Sequence, residues 1–474
     1  MTHALVLSAL TLVMQDEAKS KAPKPPTGLW MGTINVMMIQ KLRLIVEVAS
    51  PTPGKLMATM DSIDQGAMGI RVDTFVADGS KMKWEIKALG ASFDGELKPD
   101  GKYHGTFKQG PLITPLVLEK IEKRPLPPSR PQDPKKPYPY LEEEVTVTNS
   151  APKKPINLAG TLTLPKTGGP FPAVVLITGS GAQNRNEELM NHRPFLVLAD
   201  HLTRKGIAVL RMDDRGVGGS KGGSADDTSK DFAGDILAAV EHLRKDKRID
   251  PKKVGLIGHS EGGLIAPIVA AENPDSVAFI VLLAGPALKG KDILFLQGAK
   301  ILMAGGMSAN DAKENRAVQE RLFDIMEKES DPKKIEERLN AEMEASGKKV
   351  SGALKKSYEN EPARKMQARM LNNGWMKFFL TYDPLPTLMK VKCPTLALWG
   401  EKDLQVPPME NVEALKKAVP DWEKRNMTLT VMPGLNHLFQ TAGTGSPSEY
   451  QALTETFSPN ALTEISTWIL KQTK

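Results

Sequence analysis

The 474-residue chain has a single cysteine, Cys393, which excludes an intrachain disulfide and any cysteine-based metal site. Cys393 begins the buried-strand pattern "CPTLALWG" and is read as a packing residue. Aromatic residues make up only 5% of the chain, too few for the stacking platforms of a nucleic-acid binder. The net charge of +7 is therefore a solvated basic surface, with lysines and arginines scattered among acids. The seven histidines show neither HExxH nor a paired metal spacing, so no metal is expected. No run of apolar residues is long enough to span a bilayer, and stable membrane insertion is not expected. The apolar stretch from Ala4 to Met14 has the length of a signal-peptide core, although no Lys or Arg precedes it and no clean A-x-A site follows. Residues 1–26 are accordingly expected to be a signal segment, and the protein to be exported to a periplasmic or extracellular location.

What the chain does have is normal soluble composition, 40% hydrophobic and 25% charged, and enough length for two or three units. Residues 27–122 alternate with period two. In "KLRLIVEV", Leu42, Leu44, Val46 and Val48 share one face; in "KMKWEIKA", Met82, Trp84 and Ile86 do. With turn signals at "SPTPG", "ADGS" and "KPDGK", this predicts six or seven short antiparallel strands in a small sandwich or barrel. His104 stands alone there and reads as structural. Residues 123–140, "KRPLPPSRPQDPKKPYPY", are too proline-rich for sheet or helix and predict an extended linker.

From residue 141 onward the pattern changes. "EEEVTVTNS…INLAGTLTLP" reads as a hairpin, and near-continuous apolar strands then alternate with helical segments, the pattern of a parallel sheet covered on both faces. The strands are "AVVLIT", "IAVLRM", "VGLIG", "VAFIVLLA", "TLALWG" and "LTVMPG". Residues 286–390 interrupt the alternation with helical patterns, one opened by a capping box at Ser308 and Asp311, and are expected to lie over the sheet as a cap. That insertion carries Met303, Met307, Met326, Met366, Met370, Trp375, Met376, Phe378 and Phe379, which are either plain core or the lining of an acyl pocket.

The chemistry is concentrated in "LIGHSEGGLIAP", where Gly258-His259-Ser260-Glu261-Gly262 stands between a buried strand and an apolar helix. A serine is a weak nucleophile without a base to take its proton and donors for the oxyanion. Asp403 follows the strand "TLALWG", and His437 follows "LTVMPG". Ser260, Asp403 and His437 therefore form a candidate nucleophile, orienting acid and base, each just past a strand end. Glu401 is the rival acid, placed earlier in the same turn. Oxyanion donors are expected from the backbone N–H of Glu261 and from the glycine-rich loop "GSGAQNRNE", with Ser180 first and Gly181 next. Gly258 and Gly262 must be small to permit the turn. In "DDRGVGGSKGGS", which lacks G-x-x-x-x-G-K-[ST], Asp213 or Asp214 and Arg215 are expected to hold loops by ion pairing.

Taken together, "ITGSGAQNRNE", "VLRMDDRGVGGSKG", "GLIGHSEGGLIAP" and "GLNHLFQ" resemble the α/β-hydrolase superfamily, in particular bacterial carboxylesterases and serine-aminopeptidase-like hydrolases with a GHSEGG elbow. The resemblance covers the chain from Glu143 onward. It implies an α/β fold of eight mostly parallel strands with a helical cap, preceded here by the small antiparallel all-β unit, a triad at Ser260, Asp403 and His437, and no cofactor. The loop "GSGAQN" departs from the HGG pattern of many lipases. The expected activity is hydrolysis of small carboxylic esters with short to medium acyl chains. An aminopeptidase or acyl-peptidase on the same triad is the alternative, and a binding protein with an inert hydrolase unit is the alternative of another class.

Overall fold

The computed structural model describes residues 26–36, 40–52, 54–110, 112–126, 128–350, 355 and 358–474. The apolar run Ala4–Met14 and the expected signal segment lie outside the described residues, apart from Pro26.

Among the described residues the N-terminal unit has nine antiparallel strands rather than six or seven. They are β1 (Gly28–Val36), β2 (Gln40–Thr52), β3 (Lys55–Ser62), β4 (Ala67–Arg71), β5 (Thr74–Ala77), β6 (Lys81–Ile86), β7 (Ala91–Leu97), β8 (Tyr103–Gln109) and β9 (Leu112–Ile121). The extra strands are the short β4 and β5, whose buried faces are weakly marked. The sheet runs β4-β3-β2-β1-β9-β8-β7-β6-β5, so its two edges are β4 and β5. Only Val72 and Asp73 separate those edges in the chain, which obliges the sheet to curl into a half-barrel. Val72 N–H donates to Ala58 on one side, and Asp73 N–H donates to Glu85 on the other. The alternation in β6 holds: Met82, Trp84 and Ile86 are buried, and Lys81, Lys83 and Glu85 are exposed. Trp84 stacks on Phe93 inside, with ring centroids 5.8 Å apart.

The linker does not run free. Arg130 donates to the Leu453, Gln451 and Met190 carbonyls, and the Gln132 carboxamide pairs with the Thr456–Phe457 backbone. A proline-rich segment needs few partners of its own, so its polar side chains are available to tie it down.

The second sheet has eight strands: β10 (Leu141–Asn149), β11 (Ile156–Leu164), β12 (Phe171–Ile177), β13 (Ala208–Met212), β14 (Ile249–His259), β15 (Ile280–Leu283), β16 (Thr395–Gly400) and β17 (Met427–Met432). Their order is β10-β11-β13-β12-β14-β15-β16-β17. The pairs β10–β11 and β11–β13 are antiparallel, and every later pair is parallel. β13 and β15–β16 are buried along their length, as their unbroken apolar runs require. Helices α1 (Pro194–Arg204), α2 (Ser229–Lys245) and α3 (Gly262–Glu272) follow β12, the stretch after β13, and β14. On α2, Ile236, Val240 and Leu243 are buried at helical spacing.

Between β15 and β16 lies the helical insertion: α4 (Gly290–Ala304), α5 (Ala309–Lys328), α6 (Pro332–Gly347), α7 (Glu361–Leu371), α8 (Gly374–Thr381) and α9 (Leu385–Leu388). It has its own core, in which Ile335, Leu339 and Met343 present one fully buried stripe against Val318, Leu322 and Phe323. Ser308 and Asp311 form the reciprocal capping box at the start of α5. Met326 and Phe379 are buried packing residues, whereas Met303, Met366 and Met370 are exposed. Helices α10 (Pro408–Ala418) and α11 (Pro459–Gln472) complete the fold. Among the described residues no helix is long and apolar enough to cross a membrane. Burial pushes the Cys393 thiol up to about 12, in keeping with a packing role.

Candidate active site

The site gathers at the carboxyl ends of β12, β14, β16 and β17, the edge of an open α/β sheet where loops converge. Ser260 sits between β14 and α3 with φ of +53°, a left-handed conformation unusual for a non-glycine residue. Its N–H donates to the Leu283 carbonyl at 2.8 Å, and its own carbonyl accepts from Gly263, so the turn is held from both sides. The flanking glycines are demanded by close approach. A Cβ on Gly258 would lie 2.0 Å from the Gly262 carbonyl oxygen, and one on Gly262 would lie 2.2 Å from that of Ile177. The strand end, the turn and the helix therefore touch backbone to backbone.

Asp403 and His437 meet as their positions predict. Asp403 Oδ2 accepts from His437 Nδ1 at 2.8 Å, with the Asp403 side chain fully buried. Asp403 Oδ1 accepts from the N–H groups of Gln405 and Val406, which fixes the carboxylate. Because Nδ1 faces a carboxylate it carries the proton, and Nε2 keeps its lone pair. The Asn436 side-chain oxygen accepts from Leu438 and Gln440 and shapes the turn that presents His437. Ser260 Oγ and His437 Nε2 form no hydrogen bond to each other or to any other described group. Glu401, the rival acid, is exposed and accepts from Gly434 N–H across the surface of the turn.

Beside the serine lies the loop after β12. Gly179 is so near that a Cβ there would be 3.3 Å from Ser260 Cβ. The Gly179 N–H is already bound to Glu187. Those of Ser180 and Glu261 have no acceptor among the described residues. The loop is clamped by Asp214, whose two oxygens accept from the Thr178 hydroxyl at 2.7 Å and the Gln183 N–H at 2.9 Å. Burial pushes Asp214 up to about 7; those two hydrogen bonds oppose the shift, and the charges of Glu261 and Glu187 add to it.

Asp213 and Arg215 do hold loops, but not through each other. Asp213 accepts from Arg185 of the "GSGAQNRNE" loop, from both its guanidinium and its N–H, and from Gly219 N–H. Arg215 instead pairs with Asp235 and Asp227.

Glu261 contributes more than a backbone N–H. Its buried carboxylate accepts from the Ser229 hydroxyl at 2.6 Å and from Trp375 Nε1 of the insertion at 2.7 Å. Burial holds this carboxyl above the usual range, against the effect of the two hydrogen bonds. A cleft of about 720 Å³ opens between the sheet and the insertion, lined by Ser180, Gly181, Asp214, Phe232, Asn373 and Trp375. Of the insertion's methionine and aromatic residues, Trp375 is the one on this wall. Sequence reasoning passed over Glu187, His259 and Arg185. Each is an ordinary polar residue in its own stretch, and no local signal marks it.

A family model described as "Serine aminopeptidase, S33" matches residues 193–441. Esterase EstD of Thermotoga maritima is 27% identical over 336 residues, covering 71% of this chain and 69% of EstD. Among solved structures, a malate-bound thermophilic esterase from Thermogutta terrifontis shares 20% identity over 70% of this chain and all of its own, with a TM-score of 0.40. The proline iminopeptidase of Mycobacterium smegmatis shares 16% over 70% of this chain and 98% of its own, with a TM-score of 0.42. The matched segment exceeds half of the chain and contains the Ser260 turn, Asp403 and His437. The chain thus belongs to the serine aminopeptidase S33 family of α/β hydrolases.

Proposed function

We propose that this hydrolase cleaves carboxylic esters with short to medium acyl chains, using Ser260 as nucleophile, His437 as base and Asp403 as the orienting acid. The observation that carries the reading is the buried 2.8 Å bond from His437 Nδ1 to Asp403, which leaves Nε2 as the basic nitrogen near a strained serine turn. Ser260 Oγ attacks the ester carbonyl carbon and passes its proton to His437 Nε2. The carbonyl oxygen becomes an oxyanion facing the free N–H groups of Glu261 and Ser180. Collapse expels the alcohol, which takes the proton from His437 and leaves an acyl-Ser260. Water, deprotonated by His437, then attacks the acyl carbonyl and releases the acid.

EstD, an esterase by name, supports the ester over the amide. The helical insertion acts in this reading as a cap, with Trp375 walling the cleft. An aminopeptidase is the second reading, because Asp214 and Asp227 line the cleft and a peptide amino group needs an acid. Both Asp214 oxygens are occupied, however, and Asp227 is paired with Arg215. Export of the protein, expected from its N-terminal apolar run, belongs to the proposal and is tested by sequencing the amino terminus of the periplasmic or secreted form.

The test is hydrolysis of p-nitrophenyl esters of rising acyl length beside aminoacyl p-nitroanilides, with wild type, Ser260→Ala and His437→Ala. Ester turnover that falls by several orders of magnitude in both variants, with intact circular dichroism, is the expected result. Anilide turnover exceeding ester turnover replaces the ester reading with the peptidase one. A folded Ser260→Ala variant with most of its activity removes the nucleophile assignment.

A further inference from the structure

Behind the serine turn lies a charged pair that the hydrolysis scheme above does not use. Glu187 precedes α1 in a segment where Glu187, Met190 and Asn191 all have positive φ, at +50°, +51° and +62°. Such a run of non-glycine residues persists only where its surroundings over-determine it. Here they do. Asn191 donates to the Ile63 and Asp64 carbonyls of the half-barrel, Arg130 donates to the Met190 carbonyl, and Leu189 and His192 exchange backbone hydrogen bonds.

That segment delivers Glu187 Oε1 to two donors, Gly179 N–H at 2.7 Å and His259 Nδ1 at 2.8 Å. The other ring nitrogen, His259 Nε2, is 2.9 Å from the carbonyl oxygen of His437. A carboxylate and a backbone carbonyl can only accept. With Glu187 ionised, both ring nitrogens carry hydrogen and His259 is an imidazolium. Both side chains are 7% exposed, so each charge depends on the other for its partner. Burial works against the imidazolium; the charge and hydrogen bond of Glu187, then the His437 carbonyl and the charge of Asp403, outweigh it and raise His259 above its ordinary value. The groups facing the ring are Glu187 from the segment before α1, His437 from the turn after β17, and Asp403 from the turn after β16.

We propose that Glu187 is a positioning residue for hydrolysis at Ser260: by holding His259 as an imidazolium it locks the oxyanion loop, the nucleophile turn and the turn that presents the base into one arrangement. The inference rests on the proposed roles of Ser260 and His437. Glu187 accepts from the residue before Ser180 and from the residue before Ser260, and His259 in turn donates to the backbone of His437. When His259 loses its proton, one ring nitrogen becomes an acceptor facing an acceptor, and one of the clamps opens. Activity then falls on the alkaline side with the titration of His259.

The experiment compares kcat/KM pH profiles for a p-nitrophenyl ester in wild type, Glu187→Gln and His259→Gln, with nitrogen-15 NMR of the histidine rings in the same proteins. The glutamine at 187 keeps an oxygen for both donors and removes only the charge. The expected result is an alkaline limb moved about one pH unit or more toward neutrality in Glu187→Gln, with the acid limb in place. In His259→Gln the alkaline limb disappears and the plateau is lower. The wild-type spectrum at pH 7 shows His259 with two protonated nitrogens, and Glu187→Gln loses one of them at a lower pH than wild type. A Glu187→Gln profile superimposed on wild type overturns the proposal, and so does a singly protonated His259 in wild type at pH 7. If Glu187→Gln does not fold, the wild-type spectrum and the His259→Gln profile decide. Silence of wild type on every ester sinks the ester reading instead, and the ring spectrum still decides the state of His259.

Discussion

The indole N–H of Trp375, on the helical insertion, donates a 2.7 Å hydrogen bond to the buried carboxylate of Glu261, the residue that follows Ser260. The insertion is thereby tied to the turn that presents Ser260, the proposed nucleophile. Trp375 also stacks face to face on Phe379, with centroids 5.2 Å apart and planes 6° apart, which fixes the direction of its N–H. Trp375→Phe keeps the stack and loses the donor. We expect a roughly tenfold to hundredfold loss in kcat/KM, the size of a hydrogen bond to a buried charged group. Glu261→Gln, which still offers an oxygen to Trp375 and Ser229, should lie closer to wild type than Glu261→Ala. Steady-state kinetics on one ester, with thermal melts alongside, check the order.

Asp403 and Glu401 separate by the same logic. Asn at 403, keeping its oxygen on Gln405 and Val406 N–H, turns its amide N–H₂ toward His437 Nδ1, which disfavours the productive tautomer. A loss in kcat of about four orders of magnitude is expected at an intact melting temperature. Glu401→Gln, exposed and bound only to Gly434 N–H, should be nearly neutral. The reverse pattern would exchange the two roles.

His192 sets a pH limit on stability. It is buried, with Nε2 donating to the Tyr450 carbonyl and Nδ1 accepting from the Thr456 hydroxyl, a neutral tautomer. Burial depresses it to about 4; the bond to Tyr450 opposes the shift, and the charge of Arg130 reinforces it. The unfolded chain takes up this proton near 6.5 and the folded protein only near 4. Stability from this group is therefore complete above about 6.5 and is lost as pH falls toward 4, by about 3 kcal/mol. Urea unfolding of wild type and His192→Gln between pH 7 and 4 should show a smaller acid-side loss in the variant.

Asn191 tests the tie between the half-barrel and the site. Asn191→Gly tolerates the φ of +62° and removes only the carboxamide that reaches Ile63 and Asp64. The expected cost is about 1 kcal/mol per lost bond in stability. Because Asn191 anchors the segment that carries Glu187, kcat should fall severalfold with KM little changed. A loss of stability with kcat intact would make the half-barrel a passive neighbour.

Much of the site was legible because it is written locally. The Ser260 turn needs glycines two residues before and after it, because a Cβ at either would lie only 2.0 or 2.2 Å from a backbone oxygen. Asp403 and His437 each stand just past an apolar strand, and parallel strands of one sheet deliver their following turns to one edge. Alternation placed Met82, Trp84 and Ile86 inward without knowledge of the sheet's closure. The relations that escaped join residues far apart in the chain. Glu187 and His259 are 72 positions apart, and Trp375 and Glu261 are 114. The pairing of Asp213 with Arg185, and of Arg215 with Asp235 and Asp227, was equally invisible, since one carboxylate in a turn looks like another. By itself the sequence determined which residues stand at strand ends, because side-chain size and period are properties of neighbours. The tertiary structure decided which acid meets which base, because only packing can bring an acceptor to each nitrogen of His259 and oblige the ring to keep its charge.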